Sequence, residues 1–401
     1  MIDVKKIRAD FPIYDKVPEL SYLDSAASSL KLKSVVNAID SYYLTLGVNV
    51  HRGAYDLAYE ATRLYEEARL TLAKFINADE EEVMFTRGTT SSLNMIAYAY
   101  TDQLSEDDEI ITSELEHHSS VLPWMRAAKK AKAKLIYVPL TKEGRITVEA
   151  FKSVLSSKTK VVALTHVSNA MGYLTPIEEI TKLAHEKKAI VVLDAAQSAP
   201  HMLLDVKKLD VDYLAFSGHK MFGPSGVGVL YGKKALLNEL EPFELGGEMA
   251  DEVYQDHATW KNAPLRFEAG TPVISGAIGL AEAVRYIQKI GLEHIHTHTK
   301  ILHNYTLEKL LKIEGVTVYN KTSENPVINF NIEDVHPHDI ATMLDTYKVG
   351  VRAGHHCAQL VTKFLGVNST LRASFHIYNT IEDCDKFIDS VIEAKNFFTS
   401  F

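Results

Sequence analysis

A single lysine stands in a setting that favours covalent chemistry. Lys220 lies within the Gly- and Pro-rich residues 217–226, between two short apolar runs, residues 213–216 and 226–231, that we predict as strands. A turn of this kind holds an amine in place and partly desolvates it, which lowers its pKa toward a reactive free amine. Asp194 ends another apolar run upstream. A Schiff-base lysine and an aspartate paired with a pyridinium nitrogen are what pyridoxal phosphate (PLP) requires of a protein, so the sequence predicts a PLP site.

Short apolar runs alternate with helical patterns before this lysine. Residues 56–75 carry apolar side chains at three- and four-residue steps, the pattern of an amphipathic helix. The predicted strands are residues 82–86, 109–112, 134–138, 160–165, 189–194, 213–216 and 226–231, with helices such as 175–186 between most of them. This alternation predicts an α/β fold with a mainly parallel seven-stranded sheet between helices. The short loop before the last strand favours at least one antiparallel pairing.

A different pattern begins near residue 262. It predicts, in order, a helix at residues 276–289, a strand at 326–330 and a helix near 338–347. At 401 residues the chain is too long for one ordinary core. We therefore predict a large PLP-binding domain at residues 21–262, and a small α+β domain made of residues 1–20 together with 263–401.

Four polar segments directly follow predicted strands. They are residues 87–90, 116–118, 165–169 and 194–197. The carboxyl ends of strands in an open α/β sheet are where ligands bind, so we expect these segments to converge on one site with Lys220. Residues 87–90 also open a helix, and the backbone N–H groups at a helix N-terminus suit a phosphate.

Composition narrows the partners and the compartment. With 43 Lys plus Arg against 52 Asp plus Glu, the net charge is −9, which argues against nucleic acid as the main partner. The first twenty residues are too charged to hold an apolar signal core, and no apolar run approaches the length of a membrane span. Two cysteines, Cys357 and Cys384, do not make a disulfide framework, so a reducing cytoplasmic setting is expected.

Six short motifs that carry polar or reactive residues occur along the chain. They are His51-Arg52-Gly53, Arg87-Gly88-Thr89-Thr90, Glu116-His117-His118, Thr165-His166-Val167-Ser168-Asn169, Ser217-Gly218-His219-Lys220 and Arg352-Ala353-Gly354-His355-His356-Cys357. With these motifs in this order, the chain resembles fold-type I PLP enzymes of the class V aminotransferase group, and more narrowly the SUF-type (type II) cysteine desulfurases. The similarity runs from residues 22–27 to 372–380. The short loop around Cys357 favours type II over the long-loop type I enzymes.

The resemblance implies a cofactor role for many of these residues. Lys220 would form the Schiff base and Asp194 would pair with the pyridinium nitrogen. The other implied contacts are Gln197 at the phenolic oxygen, His117 on the ring and in proton transfer, and Thr89, Thr90, Ser217 and His219 at the phosphate. Thr271 would reach the phosphate held by the other subunit, so a homodimer is implied.

The resemblance also implies how substrate is held. Asn169 and Arg372 would bind the substrate carboxylate, and Cys357 would be the nucleophile. Arg352 and His51 are further substrate-binding candidates, although His51 and its neighbour also suit a purely structural turn. Cationic neighbours favour the thiolate form of a cysteine, and Arg352 with the two preceding histidines would supply them.

The implied reaction converts L-cysteine into L-alanine and leaves a persulfide on Cys357. Its sulfur would pass to a SufE-like or SufU-like acceptor protein for iron–sulfur cluster assembly. One alternative is a selenocysteine lyase acting on L-selenocysteine, and another is a class V PLP reaction that does not need Cys357. A non-enzymatic sulfur-assembly scaffold is the alternative from a different class of protein.

The remaining histidines and the second cysteine have plainer interpretations. A zinc site is one use for a string of histidines, here His294, His296, His298 and His303. We instead expect His294 and His298, one helical turn apart, on a solvated helix face, and we predict no metal site. Cys384 lies in a predicted C-terminal helix, where we expect it to be structural.

Overall fold

The strands of this computed structural model, which describes residues 2–399, form two main sheets and two small ones. Their bounds are β1 (Ser21–Tyr22), β2 (Val83–Thr86), β3 (Glu109–Thr112), β4 (Lys134–Tyr137), β5 (Thr159–Thr165), β6 (Ile190–Asp194), β7 (Tyr213–Ser217), β8 (Gly228–Gly232), β9 (Ala250–Val253), β10 (Ala258–Trp260), β11 (Val316–Val318), β12 (Val327–Ile332), β13 (Val349–Gly350), β14 (Arg352–Gly354) and β15 (Thr370–Ser374).

Helices cover the sheets and join their strands. Their bounds are α1 (Val4–Arg8), α2 (Ile13–Lys16), α3 (Lys33–Thr45), α4 (Asp56–Phe75), α5 (Thr89–Thr101), α6 (His118–Ala131), α7 (Val148–Val154), α8 (Ile177–Glu186), α9 (Val206–Leu209), α10 (Lys234–Glu239), α11 (Ile274–Ile290), α12 (Leu292–Leu310), α13 (Pro337–Thr346), α14 (Gln359–Phe364) and α15 (Ile381–Thr399). None of these helices combines the length and the apolar character that a membrane span needs.

The larger sheet has the strand order β2-β8-β7-β6-β5-β3-β4. Strands β7, β6, β5, β3 and β4 run parallel, whereas β8 is antiparallel to both of its neighbours. The central strands are buried on both faces, and therefore their sequences are nearly continuous apolar runs. The predicted seven-stranded, mainly parallel sheet is confirmed, with its antiparallel pairing.

The register of this sheet brings polar strand ends side by side. Thr165 at the end of β5 pairs with Asp194 at the end of β6, and Asp194 pairs with Ala215 of β7. Strand β7 ends at Ser217, and a single 3₁₀ turn, Gly218–Lys220, follows directly. The lysine and the aspartate thus leave neighbouring strands at the same edge.

The smaller main sheet is antiparallel, in the order β11-β12-β15-β14. Helices α12, α13 and α15 pack around it on a separate core that includes Phe330, Leu371 and Phe387. Helix α11 instead packs on α3 and α4 beside the larger sheet. The α+β character of the C-terminal part is as expected, and the domain boundary near residue 262 stays a prediction.

The segment before β1 packs into the core that lies beside the larger sheet. Phe11 is fully buried, with its ring centroid 5.5 Å from that of Phe222 and 5.0 Å from that of Tyr378. Phe222 belongs to the turn that carries Lys220, and Tyr378 follows β15. The N-terminal segment therefore supports the lysine turn from the side of the smaller sheet.

Two features differ from the sequence expectations. The hairpin β9–β10 is mostly exposed, so it lacks the apolar run by which a strand is recognised.

The expectation that His298 lies on a solvated face is wrong. It is buried, with Nε2 3.0 Å from the carbonyl oxygen of Asn379, whereas His294 is exposed. Cys384 is buried in α15, as expected.

A buried ion pair joins α4 to the segment that precedes α11. The side chains of Arg69 and Glu268 are 1% and 3% exposed, and Nη1 and Oε1 lie 2.7 Å apart. Glu268 also accepts hydrogen bonds from the hydroxyl of Tyr65 and the backbone N–H of Phe85, both at 2.8 Å. This carboxylate therefore depends on Arg69 for its only ionic partner within 4 Å in residues 2–399.

We predict that Arg69→Ala lowers the free energy of unfolding by about 3–5 kcal/mol, because it leaves a buried carboxylate without its cation. Arg63→Ala is the matched control, since it removes an arginine from the exposed face of the same helix, where surface ion pairs contribute little. Urea unfolding followed by circular dichroism measures both variants. Equal losses of unfolding free energy in the two variants would contradict the role given to Arg69.

Candidate active site

A cavity of about 230 Å³ lies at the carboxyl edge of the larger sheet, beside β14 and β15. Most of the predicted site residues line it. They are Thr89, Thr90, His117, Asn169, Asp194, Gln197, Ser217, His219, Lys220, Arg352, Cys357 and Arg372. The polar segments that the sequence places after separate strands therefore meet around one space.

Lys220 and Asp194 form the buried base of the cavity. Burial lowers the pKa of Lys220 to about 8, and the nearby Asp194 carboxylate limits this shift. Burial raises the pKa of Asp194, and this rise is opposed by Lys220 and by the backbone N–H of Ala196, which donates to Oδ1 at 2.9 Å. The free amine of Lys220 is thus far more accessible near pH 8 than that of a lysine in water.

An anion cradle lies at the start of α5. This 13-residue helix begins after Gly88 without a side-chain cap, so the N–H groups that follow Thr89 in its first turn suit an anionic ligand. The backbone N–H and the hydroxyl of Thr89 both contact Ser217 Oγ, at 2.8 and 2.7 Å. The two segments approach closely here, since a Cβ on Gly88 would lie 3.2 Å from Ser217 Oγ. The helix dipole and these hydroxyls suit a phosphate.

His117 presents a neutral ring to the cavity. It caps α6, where its Nδ1 accepts a hydrogen bond from the backbone N–H of Ser119 at 3.1 Å, which leaves the ring proton on Nε2. Burial, reinforced by the positive charge of Lys220, lowers the pKa of His117 to about 3. A neutral imidazole held at a fixed angle suits stacking on a cofactor ring and short-range proton transfer.

Two arginines lie directly opposite each other on neighbouring strands of the smaller sheet. Arg352 of β14 pairs directly with Arg372 of β15, and like charges in this arrangement repel. Arg372 is buried and donates to Asp24 Oδ1 and to the carbonyl of Asn169, both at 3.0 Å. Its Nε has no hydrogen-bond partner in residues 2–399, and neither has Asn169 Oδ1. Unused donors on a buried guanidinium predict a bound carboxylate here.

Cys357 lies on a backbone held in an uncommon conformation. His356 and Cys357 have φ values of 52° and 54°, in the left-handed region that residues other than glycine rarely adopt. The Cys357 carbonyl accepts a hydrogen bond from the backbone N–H of His118 at 2.8 Å, and Asn169 Nδ2 donates to the carbonyl of His356 at 2.6 Å. These contacts fix an exposed thiol at the cavity mouth.

Comparison with known proteins agrees with this geometry. The class-V aminotransferase family matches residues 21–387. A probable cysteine desulfurase of Staphylococcus epidermidis is 49% identical over 99% of this chain and 98% of its own, and one from Halalkalibacterium halodurans is 48% identical over the same shares. The chain belongs to the class-V aminotransferase family, and within it to the cysteine desulfurases, which depend on PLP.

Solved structures of cysteine desulfurases share the whole fold. The apo structure from Thermococcus onnurineus has a TM-score of 0.94 at 42% identity, and it covers 100% of this chain and 99% of its own. The structure of CsdA from Escherichia coli has a TM-score of 0.93 at 36% identity, with 99% of each chain covered. The predicted fold and family are confirmed.

The residues of the cavity fit PLP. A desolvated amine, a buried carboxylate and an uncapped helix N-terminus stand around a single space, and each matches a different part of the cofactor. Lys220 would hold its aldehyde carbon, Asp194 its ring nitrogen, and Thr89, Thr90, Ser217 and His219 its phosphate. These individual roles remain predictions.

Two predicted site residues do not line this cavity. His51 bonds through Nε2 to Glu66 at 2.8 Å, and its backbone N–H donates to Thr62, as a structural turn residue would. Thr271 is exposed in a surface depression that also includes Arg87 and Glu268. The role expected of Thr271 lies in the other subunit's site, and it stays a prediction.

Sequence reasoning missed a fully buried carboxyl group beneath the site. Glu116 accepts hydrogen bonds from Ser113 Oγ at 2.7 Å and from the backbone N–H of Thr165 at 3.0 Å, and so joins the ends of β3 and β5. Burial raises its pKa to about 7. The motif that contains Glu116 and His117 was recognised in the sequence, but the burial of Glu116 could not be predicted from that motif alone. Asp24, which holds Arg372, was missed in the same way.

We predict that Lys220 in the cofactor-free protein reacts with dilute acetic anhydride with a midpoint near pH 8, because burial disfavours its ammonium form. A lysine in water titrates near 10.4. Peptide mass spectrometry across a pH series measures the labelling rate. Asp194→Asn should move the midpoint lower still, because the carboxylate stabilises the ammonium. A midpoint at 10 or above would show that the amine is solvated.

Proposed function

We propose that this enzyme converts L-cysteine to L-alanine and takes the sulfur as a persulfide on Cys357. The observation that carries the proposal is the placement of an exposed thiol on the same cavity as a desolvated lysine, a buried aspartate and a buried arginine. A transaminase would need the lysine, the aspartate and the arginine, whereas only sulfur chemistry needs the thiol. The relatives that are named cysteine desulfurases support a desulfurase over a transaminase.

The polar groups of the cavity orient the substrate. Arg372 offers its unpartnered Nε to the substrate carboxylate, Asn169 stands beside it, and Arg352 adds a second positive charge from the facing strand. A carboxylate held between them relieves the repulsion of the two guanidinium groups. The substrate side chain is then free to extend toward the mouth of the cavity, where Cys357 lies.

Proton movement falls to Lys220 and His117. PLP, once bound, withdraws electrons from the substrate α-carbon and so makes its proton acidic. About half of Lys220 is a free amine at pH 8 and can take a proton, while His117 carries one on Nε2. Asp194 would hold the ring nitrogen in its charged form, on which that electron withdrawal depends.

Sulfur transfer is a displacement at the substrate sulfur. The Cys357 thiolate forms a new S–S bond, and the substrate C–S bond breaks with its electron pair left on the β-carbon. That carbon takes a proton, so L-alanine leaves and no external oxidant is consumed.

We further propose a cytoplasmic homodimer that passes sulfur to a SufE-like or SufU-like acceptor for iron–sulfur cluster assembly. The exposure of Cys357 supports delivery to a second protein, and a free thiol suits a reducing compartment. The position of Thr271 supports the dimer. This residue is exposed outside the cavity of its own chain, and the buried ion pair of the nearby Glu268 holds its segment in place, so Thr271 is available to a second subunit.

Cys357→Ala should abolish alanine formation from L-cysteine while PLP is still bound, because the attacking sulfur is gone and the lysine is untouched. The PLP-loaded proteins are compared by amino-acid analysis. Cys384→Ala, which removes the buried thiol, is the control and should retain turnover. Equal alanine from wild type and Cys357→Ala would remove Cys357 from the mechanism. Turnover of L-selenocysteine without L-cysteine would indicate a lyase instead.

Shared sites are tested by mixing inactive subunits. If Thr271 serves the partner's site, a mixed dimer of Lys220→Ala and Thr271→Ala chains contains one site with both native residues. We expect co-expressed mixtures, purified through two different tags, to form alanine faster than either parent. A mixed dimer no faster than the mean of its parents would place Thr271 outside the partner's site.

A further inference from the structure

The carbonyl oxygen of His219 accepts four hydrogen bonds from one short segment. Ser29 donates from its backbone N–H at 3.0 Å and from Oγ at 3.1 Å, Ser28 Oγ donates at 3.0 Å, and Lys31 Nζ donates at 2.8 Å. A carbonyl oxygen has two lone pairs, and backbone carbonyls usually accept one or two bonds. This oxygen belongs to the peptide bond that joins His219 to Lys220, so the contacts converge directly before the reactive residue.

Lys31 is an unusual donor for this place. It is largely buried, and no carboxylate in residues 2–399 lies within 4 Å of its ammonium. Its three N–H groups instead have three oxygen partners, Ser28 Oγ at 3.2 Å, the Ser29 carbonyl at 2.8 Å and the His219 carbonyl at 2.8 Å. Burial lowers its pKa to about 8. Removing a cation from water without pairing it to an anion costs stability. A residue that served only to stabilise the fold at this position would not need to be a buried lysine.

The same segment holds the turn from its other side. Ser29 Oγ accepts a hydrogen bond from the backbone N–H of Phe222 at 2.6 Å. Phe222 has a φ of 65°, a left-handed conformation that a phenylalanine keeps only when its neighbours enforce it. The peptide before Lys220 and the peptide two residues after it are therefore both held by residues 28–31.

Residues 24–31 contact the other predicted groups of the cavity as well. Asp24 pairs with Arg372 at 3.0 Å, and the carbonyl of Ala26 accepts from Gln197 Nε2 at 2.8 Å. The alanines at positions 26 and 27 line the cavity itself. A single segment thus links the substrate clamp, the predicted contact of the cofactor's phenolic oxygen and the lysine turn.

We propose that Lys31 is a positioning residue for the PLP site, whose ammonium, with Ser28 and Ser29, clamps the His219 carbonyl and so fixes the amine of Lys220 and the ring of His219. This inference rests on the role given to Lys220 in the proposed function. Lys31 does not line the cavity, so it acts on the site through the His219 carbonyl. Its positive charge also acts on the ring of His219, because it contributes to the lowered pKa of that residue.

The clamp has a specific kinetic consequence. Lys220 and His219 hold the cofactor, so loss of the clamp weakens retention of PLP and the geometry of proton transfer. The substrate carboxylate is held by Arg372 and Asn169, which Lys31 does not contact. Removal of Lys31 should therefore lower kcat and leave KM for L-cysteine nearly unchanged.

Lys31→Met tests this, because methionine has nearly the length of lysine but neither donates nor carries charge. Lys33→Met is the matched control, an exposed lysine two residues further along. We measure PLP release by absorbance after dilution into a PLP trap, kcat and KM for L-cysteine, and thermal unfolding of the PLP-loaded and cofactor-free proteins. For Lys31→Met we expect about tenfold faster release and about tenfold lower kcat, roughly one RT ln 10 each, with KM within about twofold.

Ser28→Ala provides a second, milder variant. It removes one donor to the His219 carbonyl and one acceptor of Lys31, and it should speed PLP release in the same direction to a smaller degree. The proposal is overturned if both variants release PLP at the wild-type rate. It is also overturned if Lys31→Met destabilises the cofactor-free protein while release and kcat stay normal, since that is a structural role alone.

The two proposals fail in different ways. PLP release is measured without substrate, so it reports on the clamp whatever reaction the enzyme catalyses. A wild-type enzyme that forms no alanine, together with fast PLP release from Lys31→Met, would refute the desulfurase mechanism and support the clamp. Alanine formation that depends on Cys357, with unchanged PLP release from Lys31→Met and Ser28→Ala, would support the desulfurase mechanism and refute the clamp.

Discussion

The close burial of an amine and a carboxylate is the constraint on which the site depends. Burial favours the uncharged forms of Lys220 and Asp194, whereas their mutual attraction favours the charged forms. The outcome is sensitive to their separation, because charges interact strongly where water is scarce. The direct pairing of β6 with β7 sets that separation through the rigid sheet, and the 3₁₀ turn after β7 carries the lysine back over it.

Positive charge around the cavity is the second consequence of this design. Arg352 and Arg372 face each other, Lys220 lies below them, and Lys31 stands behind the lysine turn, although the chain as a whole carries a net charge of −9. Cations gathered in a poorly hydrated space raise the free energy of the ligand-free fold. A phosphate, a carboxylate and a thiolate each relieve this repulsion, so cofactor and substrate act as stabilising ligands as well as reactants.

Much of this architecture was predictable from local sequence. Strands buried on both faces are apolar runs, and their polar ends at Asp194 and Thr165 marked the edge where the cavity lies. The hairpin β9–β10 was not predictable, because exposed strands lack that signal. Lys31 was missed for a different reason. Its partner His219 lies 188 residues away, and a lysine two residues after a serine pair has no local mark of burial. His298 was misjudged because its partner, Asn379, lies 81 residues further along the chain.

The position of residues 24–31 within the fold has a consequence for biosynthesis. Asp24 meets Arg372 across 348 residues of sequence, and Ser25 meets the hydroxyl of Tyr378 across 353. During translation the larger sheet can assemble from residues that emerge early, but these early residues gain their last partners only when the final strand and its successor have left the ribosome. A nascent chain therefore displays its lysine turn and its thiol without a closed cavity around them. Competence for sulfur chemistry arises in one late step, when the two distant stretches of chain meet.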